Sequence, residues 1–461
     1  MGRGQKLSID LPAPVRQIIH TLEAAGHEAY AVGGCVRDSV LGRIPDDWDI
    51  TSSARPREIK ALFSHTIDTG IQHGTVTVML DHIGYELTTY RVDGEYLDGR
   101  HPRTVRYTPS LTEDLKRRDF TINAMAYHPD RGLVDEFDGI GDLKRKLVRC
   151  VGDPHQRFTE DALRMLRAVR FAAQLGFGLD TDTASAIRDL AENLKKVSAE
   201  RIRVELMKTI CSPHPACLEM AYELGLTAVF LPEFDACMRT PQNTPHHFTD
   251  VGHHTLLVMQ GVPRDPVLRL AALLHDIAKP VCRTTDEKGV DHFKGHPKEG
   301  ARMAGEILRR LRFDKDTTDR VVQLVRYHDE RPGADLRSVR RAMVRVGAQA
   351  FPRLFALKRA DMLAQSDYKR EEKLGEIDDF ERLREQILQK KEALSVGDLA
   401  ISGRDLLEMG LPQGRLVGEV LSALLEDVLE EPEHNQADYL RKKSREILLN
   451  LGESPQDGAF P

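Results

Sequence analysis

Apolar and polar positions change period repeatedly over the first 150 residues. Short β-rich runs, HEAYAVGG, DWDITSS, GTVTVMLDHIGYELTTYRV and LVDEF, alternate with helix-like runs, and this mixture predicts an α+β head. From Arg157 onward the strand pattern almost disappears. RFTEDALRMLRAVRFAAQL, TASAIRDLAENLKK, AERIRVELMKTI, HHTLLVMQ, PVLRLAALLHDIA, KEGARMAGEILRRLR and DRVVQLVRYH all space their apolar residues for helices. The prediction is a helical body. Two polar, turn-rich stretches, 232–250 and 395–405, interrupt it as junctions. The expected division is a head at 1–150, a helical neck at 151–235, a third domain at 236–370 and a C-terminal helical region at 371–461. The sequence contains no internal repeat, and the last ten residues, GESPQDGAFP, read as a frayed tail.

Composition narrows the class. With 461 residues, 41% of them apolar and 30% charged, the chain can bury several cores, and no stretch approaches a membrane span. No membrane partner is expected. The N-terminus, MGRGQKLSIDLPAP, lacks an apolar signal core, and the six cysteines have no metal-ligand pair spacing. Free thiols in a reducing cytoplasm are therefore expected. The net charge of −6 argues against a uniformly basic nucleic-acid binder, yet residues 101–170 carry 14 Lys and Arg against 11 Asp and Glu. The sign changes where the chemistry concentrates.

AVGGCVRDSVLGRIPDDWDITSS, residues 31–53, is the densest stretch. A β-run ends in Gly33-Gly34, where backbone N–H groups can approach a phosphate, and Arg37 follows one turn later as a charged partner. Asp47 and Asp49, at i and i+2 on a strand, share a face and suit a hard cation such as Mg²⁺. Either feature alone also describes a solvated turn. In YELTTYR, Glu86 on another β-run is a third carboxylate for the same ions or an exposed strand acid. KRRDFTINAMAY places Arg117, Arg118, Asp119 and Asn123 around a helix; Asp119 and Asn123, at i and i+4, share a face suited to ribose and phosphate, or form a surface ion-pair ladder. In TEDALRMLRAVRF, Asp161 and Arg164 are i and i+3 on a helix, with Arg167 and Arg170 continuing the row. An acceptor beside a guanidinium complements the amino and ring-nitrogen edge of cytosine or adenine. The same spacing describes a plain i,i+3 salt bridge.

GGCVRDSVLGRIPDDWDIT, TGIQHGTVTVM, ELTTYR, RRDFTINAMAY, DGIGDL and EDALRMLRAVRFAAQLGF, in this order across 27–178, resemble the class II tRNA nucleotidyltransferase and bacterial poly(A) polymerase family. The resemblance implies a polymerase-β-like head in which Asp47 and Asp49, with Glu86 as a third carboxylate, bind Mg²⁺ and promote attack of an RNA 3′-hydroxyl on CTP or ATP. It assigns Gly33, Gly34, Arg37 and Arg118 to the triphosphate and ribose, and Asp161, Arg164, Arg167 and Arg170 to the base. TGIQHGTVTVM resembles the tRNA-tail-adding branch more than the poly(A) branch. RVDGEYLDGRHPRTV, at 91–105, resembles the loop of enzymes that add the terminal A, which leaves full CCA addition and A-only addition open.

His254, His275-Asp276, His296, His328 and Asp361 lie on a helical background. Burying the adjacent His-Asp pair without a metal or partner is costly. The ordered series across roughly 246–366 resembles the HD phosphohydrolase superfamily, which implies His254, His275, Asp276 and Asp361 as ligands of a divalent metal of unstated identity. His296 and His328 are candidates for a second metal, and a degenerate domain without metal is the opposing reading.

The expected function is addition or repair of the tRNA 3′ CCA end with CTP and ATP, without a nucleic-acid template. A phosphohydrolase acting on phosphorylated or cyclic RNA ends is expected beside it. The rivals are an A-adding enzyme working with a CC-adding partner, a poly(A) polymerase, and an RNA-binding or sensor protein with an inactive head. In the tail, Gly403, Gly410 and Gly414 permit turns near an RNA backbone or simple helix packing. Nothing in the sequence sets an oligomeric state.

Overall fold

The computed structural model describes residues 8–94 and 105–450. Most of the 91–105 loop and the GESPQDGAFP tail therefore lie outside the described residues. The chain divides into two compact units, one comprising 1–236 and 307–313, the other 237–306 and 314–461.

The first unit begins with helix α1 (Ala13–Ala24), whose Val15, Ile18, Ile19 and Leu22 are buried at helical spacing. Strands β1 (Ala29–Val32), β2 (Ile50–Ser52), β3 (Thr66–Gly70), β4 (Thr75–Leu80), β5 (Ile83–Thr89), β6 (Ala126–His128) and β7 (Gly132–Val134) form one mixed sheet in the order β3-β4-β5-β2-β1-β6-β7. β1 is buried at all four positions and pairs antiparallel with β2 and β6. β2 runs parallel to β5, with Ile50 opposite Leu87. This sheet interior is a run of small and branched side chains, as burial on both faces requires. β4 and β5 close through Asp81-His82, both at positive φ, a turn whose twist matches the strands it joins. A short helix, α2 (Gly34–Val40), leaves the end of β1.

Two expectations are corrected here. KRRDFTINAMAY is not one helix: Thr121–Asn123 forms a single 3-10 turn and Ala126–His128 joins the sheet as β6. TEDALRMLRAVRF is not continuous either. One helix ends at Glu160, and α3 (Leu163–Leu175) starts after a break at Asp161-Ala162. The Asp161 carboxylate accepts from Leu163 N at 3.0 Å, a local bond that competes with helix propagation. α3 then packs against α4 (Ala199–Ile210) within the helical part of this unit.

Among its described residues the second unit is helical apart from a short ribbon, Thr284–Thr285 with Asp291–His292. α5 (Val251–Gly261), α6 (Pro266–Leu274), the start of α7 (His296–Arg310), α8 (Lys315–Tyr327), α9 (Leu336–Val346), α10 (Phe351–Leu363) and α11 (Arg370–Gln389) make its larger part. α12 (Arg415–Glu430) and α13 (Ala437–Asn450) build a separate apolar cluster around Leu406, Val420, Leu424 and Val428. Gly403 lies where a β-carbon would come within 3.2 Å of Val417, so helix packing accounts for it. Among the described residues no helix is long and apolar enough to cross a membrane.

Ile19 is fully buried in α1. Ile19→Ala should cost about 2–5 kcal/mol of stability, read as a lower urea midpoint at unchanged slope.

Candidate functional site

The first candidate site forms where β1 gives way to α2. Gly33 has φ +83°, a conformation that disfavours any side chain, and an added β-carbon would lie 3.1 Å from Arg118 Nη1. The absent side chain thus makes room for a guanidinium. Gly33 N donates to Met125 O at 3.1 Å, and Val32 N donates to Asp49 O at 2.9 Å. These bonds bring the glycine turn, the Asp47-Trp48-Asp49 segment and the 118–125 segment together.

Asp47 and Asp49 sit in the irregular segment that leads into β2, not on the strand itself. Asp47 is exposed and Asp49 half-buried. Because Ile50 pairs with Leu87, Glu86 stands at the neighbouring register position beside Asp49. The fields agree with this placement. Burial, then the charge of Asp47, push the Asp49 carboxyl up to about 6, with Glu86 adding to the rise and Arg118 opposing it. Three carboxylates that repel one another beside a solvent opening suit a hard cation bound through oxygen.

Arg118 is braced by Asp114, a fully buried carboxylate 3.5 Å from its Nη2. Asp114 also accepts from Arg117 Nε and Nη2 at 2.9 and 2.8 Å and from Thr51 Oγ1 at 3.1 Å. The sequence reading missed it, although its i,i+3 spacing to Arg117 was a visible signal. Asp119 and Asn123 do come together: Asn123 Nδ2 donates to Asp119 Oδ1 at 3.1 Å, and Asn123 Oδ1 accepts from Arg37 Nη1 at 2.6 Å. Asp119 Oδ2 accepts from Arg167 Nε and Nη2 at 2.8 and 2.5 Å. Burial would raise the Asp119 carboxyl, but Arg167 and these bonds hold it well below the usual carboxylate range.

Arg37, Arg167 and Arg170 surround one ring. Their guanidinium carbons lie 5.1, 5.6 and 4.1 Å from the Phe171 centroid. Arg170 also lies 3.2 Å from Glu205, and burial followed by Arg167 push its pKa down to about 10. Asp161 and Arg164 are not paired with each other through their side chains. Arg201 Nη1 and Nη2 donate to Asp161 at 3.2 and 2.7 Å, while Arg164 Nη1 donates to Glu160 at 2.7 Å. Arg201 lies 40 residues from Asp161 in sequence, and no spacing rule reveals it.

The second candidate site is buried in the helical unit. His275-Asp276 caps the end of α6, with His254 on α5, His296 opening α7, His328 capping α8 and Asp361 on α10. His254, His275 and Asp361 form one cluster of donor atoms within 4.8 Å; Asp276, His296 and His328 form another. Asp276 joins them. Its Oδ2 lies 3.7 Å from His254 Nε2 and 3.1 Å from His275 Nε2, and its Oδ1 lies 3.4 and 3.8 Å from His296 and His328 Nε2. His254 Nε2 is also 3.0 Å from Asp361 Oδ1.

The imidazoles are oriented from behind. Nδ1 of His275, His296 and His328 each meets a main-chain carbonyl, of Ala272, Phe293 and Val325, at 2.8 Å. Each carbonyl accepts a hydrogen bond from Nδ1–H, so the Nε2 lone pairs face the cluster, as in a metal centre. His275 Nε2 is buried without a well-directed hydrogen bond. Nitrogen lone pairs and a dry carboxylate in one space fit a divalent cation of borderline softness. Burial, then His275, push His328 down to about 4; Asp276 sits well below the carboxylate range because its cationic neighbours outweigh its burial.

The cluster opens on a cavity of about 380 Å³ whose walls include Lys279, Lys294, Arg331 and Lys373. Lys279 Nζ is 2.7 Å from Asp276 Oδ2. His247, missed in the sequence, stacks edge-on against His254 at 4.8 Å, and burial followed by Lys279 lowers its pKa to about 2. The positive lining suits a phosphate-bearing ligand.

Comparison with known proteins follows the same division. Residues 29–149 match the family described as "Poly A polymerase head domain", 176–238 the family described as "Probable RNA and SrmB- binding site of polymerase A", and 247–366 the "HD domain". A CCA-adding enzyme of Leuconostoc mesenteroides is 56% identical over 193 residues, 42% of this chain and 48% of the relative. One of Limosilactobacillus reuteri is 52% identical over 208 residues, 44% and 52% respectively. The chain thus spans about half the length of the curated relatives it matches. The crystal structure of the Bacillus stearothermophilus CCA-adding enzyme in complex with CTP is similar with TM-score 0.72 and 28% identity, over 95% of this chain and 100% of that one.

The raised Asp49 carboxyl has a stability consequence. The folded chain holds that proton more tightly than the unfolded chain, so this contribution is complete below the ordinary carboxylate value and is lost as pH rises through about 6. In metal-free buffer at pH 7.5, Asp49→Asn should raise the unfolding temperature, by about 2–4 °C per kcal/mol recovered. An unchanged or lower midpoint contradicts the assigned environment.

Proposed function

We propose that the chain, whose residues 29–149 match the poly(A) polymerase head-domain family and are followed by a match to the HD domain, builds or repairs the 3′-terminal CCA of tRNA from CTP and ATP. The observation that carries this reading is the convergence of Asp47, Asp49 and Glu86 beside the Gly33 turn and Arg118. Asp47 and Asp49 hold Mg²⁺, with Glu86 as a third carboxylate. Bound there, the cation supplies Lewis acidity toward the attacking RNA 3′-hydroxyl and neutralises charge on the departing pyrophosphate. Gly33, Gly34, Arg37 and Arg118 hold the triphosphate and ribose, with Asp119 and Asn123 fixing Arg37 and Arg167 in place. Asp161, Arg164, Arg167 and Arg170 select the base, and Arg201 is a positioning residue for Asp161.

The HD cluster is the second part of the proposal. His254, His275, Asp276 and Asp361 hold a divalent metal, His296 and His328 a second, and the site hydrolyses phosphorylated or cyclic 3′ ends of RNA. Clearing such ends leaves the hydroxyl that nucleotide addition needs. The supporting observation is the inward-facing set of Nε2 atoms around Asp276, opening on a cationic cavity.

One incorporation assay separates the readings. Protein is given tRNA lacking CCA, tRNA ending in CC and an unrelated RNA, each with CTP, ATP or both. Addition of C and then A to the first tRNA is expected. Incorporation of A alone onto the CC end favours an A-adding enzyme, long A tails on unrelated RNA favour a poly(A) polymerase, and no incorporation favours an RNA-binding or sensor protein. Asp47→Ala with Asp49→Ala should abolish incorporation while the far-UV spectrum stays unchanged. His275→Ala with Asp276→Ala should abolish metal-dependent phosphohydrolysis and leave CMP and AMP addition intact; loss of both activities together contradicts two independent sites.

A further inference from the structure

A second cavity, of about 350 Å³, lies between α10, α11 and the loop 330–334. We propose that it holds the base and ribose of a nucleotide whose phosphate is seated at the HD cluster. This inference rests on the phosphohydrolase reading above.

Continuity is the first argument. Arg331 and Lys373 line both this cavity and the cationic one at the metal-ligating cluster. A ligand spanning the two presents its anionic group between two cations and its remainder to the new cavity. The lining suits that remainder. Ile377 and Phe380 are buried apolar walls, and Glu376, exposed at the rim, offers an acceptor for an exocyclic amino group. A phosphate ester without a base leaves this volume to water.

The cavity walls also brace the metal-ligating residues. Lys358 Nζ donates to His328 O at 3.1 Å and Glu330 O at 2.8 Å. Lys373 Nζ donates to Gln365 Oε1 at 2.8 Å, and Gln365 Nε2 donates to Asp361 Oδ1 at 3.0 Å. The same two lysines that line the cavity therefore fix one ligand from each half of the HD cluster, so a base seated there is held in register with the phosphate.

Ala334 is exposed at the cavity wall, so Ala334→Trp can fill the opening without disturbing the core. The full chain is assayed in Mn²⁺ with 3′-AMP and with glycerol 2-phosphate, a small ester lacking a base. The variant should lower kcat/KM for 3′-AMP by about tenfold, mainly through KM, with glycerol 2-phosphate hydrolysis and AMP addition to tRNA unchanged. Equal loss on both esters, or no loss on 3′-AMP, overturns the assignment. If the unmodified chain cleaves neither ester, calorimetric binding of 3′-AMP decides. Binding weakened about tenfold by Ala334→Trp keeps the cavity and rejects hydrolysis, whereas unchanged binding rejects the cavity.

Discussion

A carboxylate taken out of water must meet positive charge, or it gives up its own, and Asp276 imposes that constraint on the whole helical unit. It is 2% exposed, with one oxygen turned toward His254 and His275 and the other toward His296 and His328. Those four rings come from four different helices or their ends. Satisfying one buried charge therefore fixes how those elements converge. Removing one partner from such an arrangement typically costs about 3–5 kcal/mol, far more than a surface ion pair contributes. Lys279, three residues on, compensates part of the charge, and a cation held between the carboxylate and the imidazole lone pairs would supply the rest.

The head solves the same problem with arginine. Asp114 and Asp119 are buried, and each holds guanidinium groups at hydrogen-bond distance. The consequence is preorganisation: Arg118 is fixed beside Gly33, and Arg37, Arg167 and Arg170 are gathered around Phe171. Burial, and after it the neighbouring Arg167, lowers the pKa of Arg170. The net charge of −6 thus conceals a local gathering of arginines around Phe171.

Much of this was legible in the sequence because it rests on local spacing. The β1–α2 turn, the His-Asp pair and the change from mixed to helical structure all follow from residues a few positions apart. The failures have physical causes. β3, TIDTG, is polar and largely exposed at the sheet edge, so it carries no apolar alternation. Phe120, Ile122, Ala124 and Met125 are all buried, which satisfies a helical and an extended spacing equally; pairing with β1 decides for the strand that follows. The break at Asp161 comes from a carboxylate bonding its own backbone, a choice that propensity does not resolve. Arg201 reaches Asp161 through tertiary packing, with no local pattern pointing to it, whereas Gln365 stands four residues after Asp361 and relays Lys373 to it.

Both proposed sites gather carboxylates whose charge a bound cation would complete. Metal content of the full chain tests it most directly. The protein is equilibrated with Mn²⁺, freed of unbound ion by gel filtration and analysed by mass spectrometry, alongside Asp276→Asn. Retained Mn²⁺ in the unmodified chain and its loss in the isosteric variant is the predicted result. An unmodified chain that retains no metal, or a variant that retains as much, contradicts the assignment of Asp276 as a metal ligand.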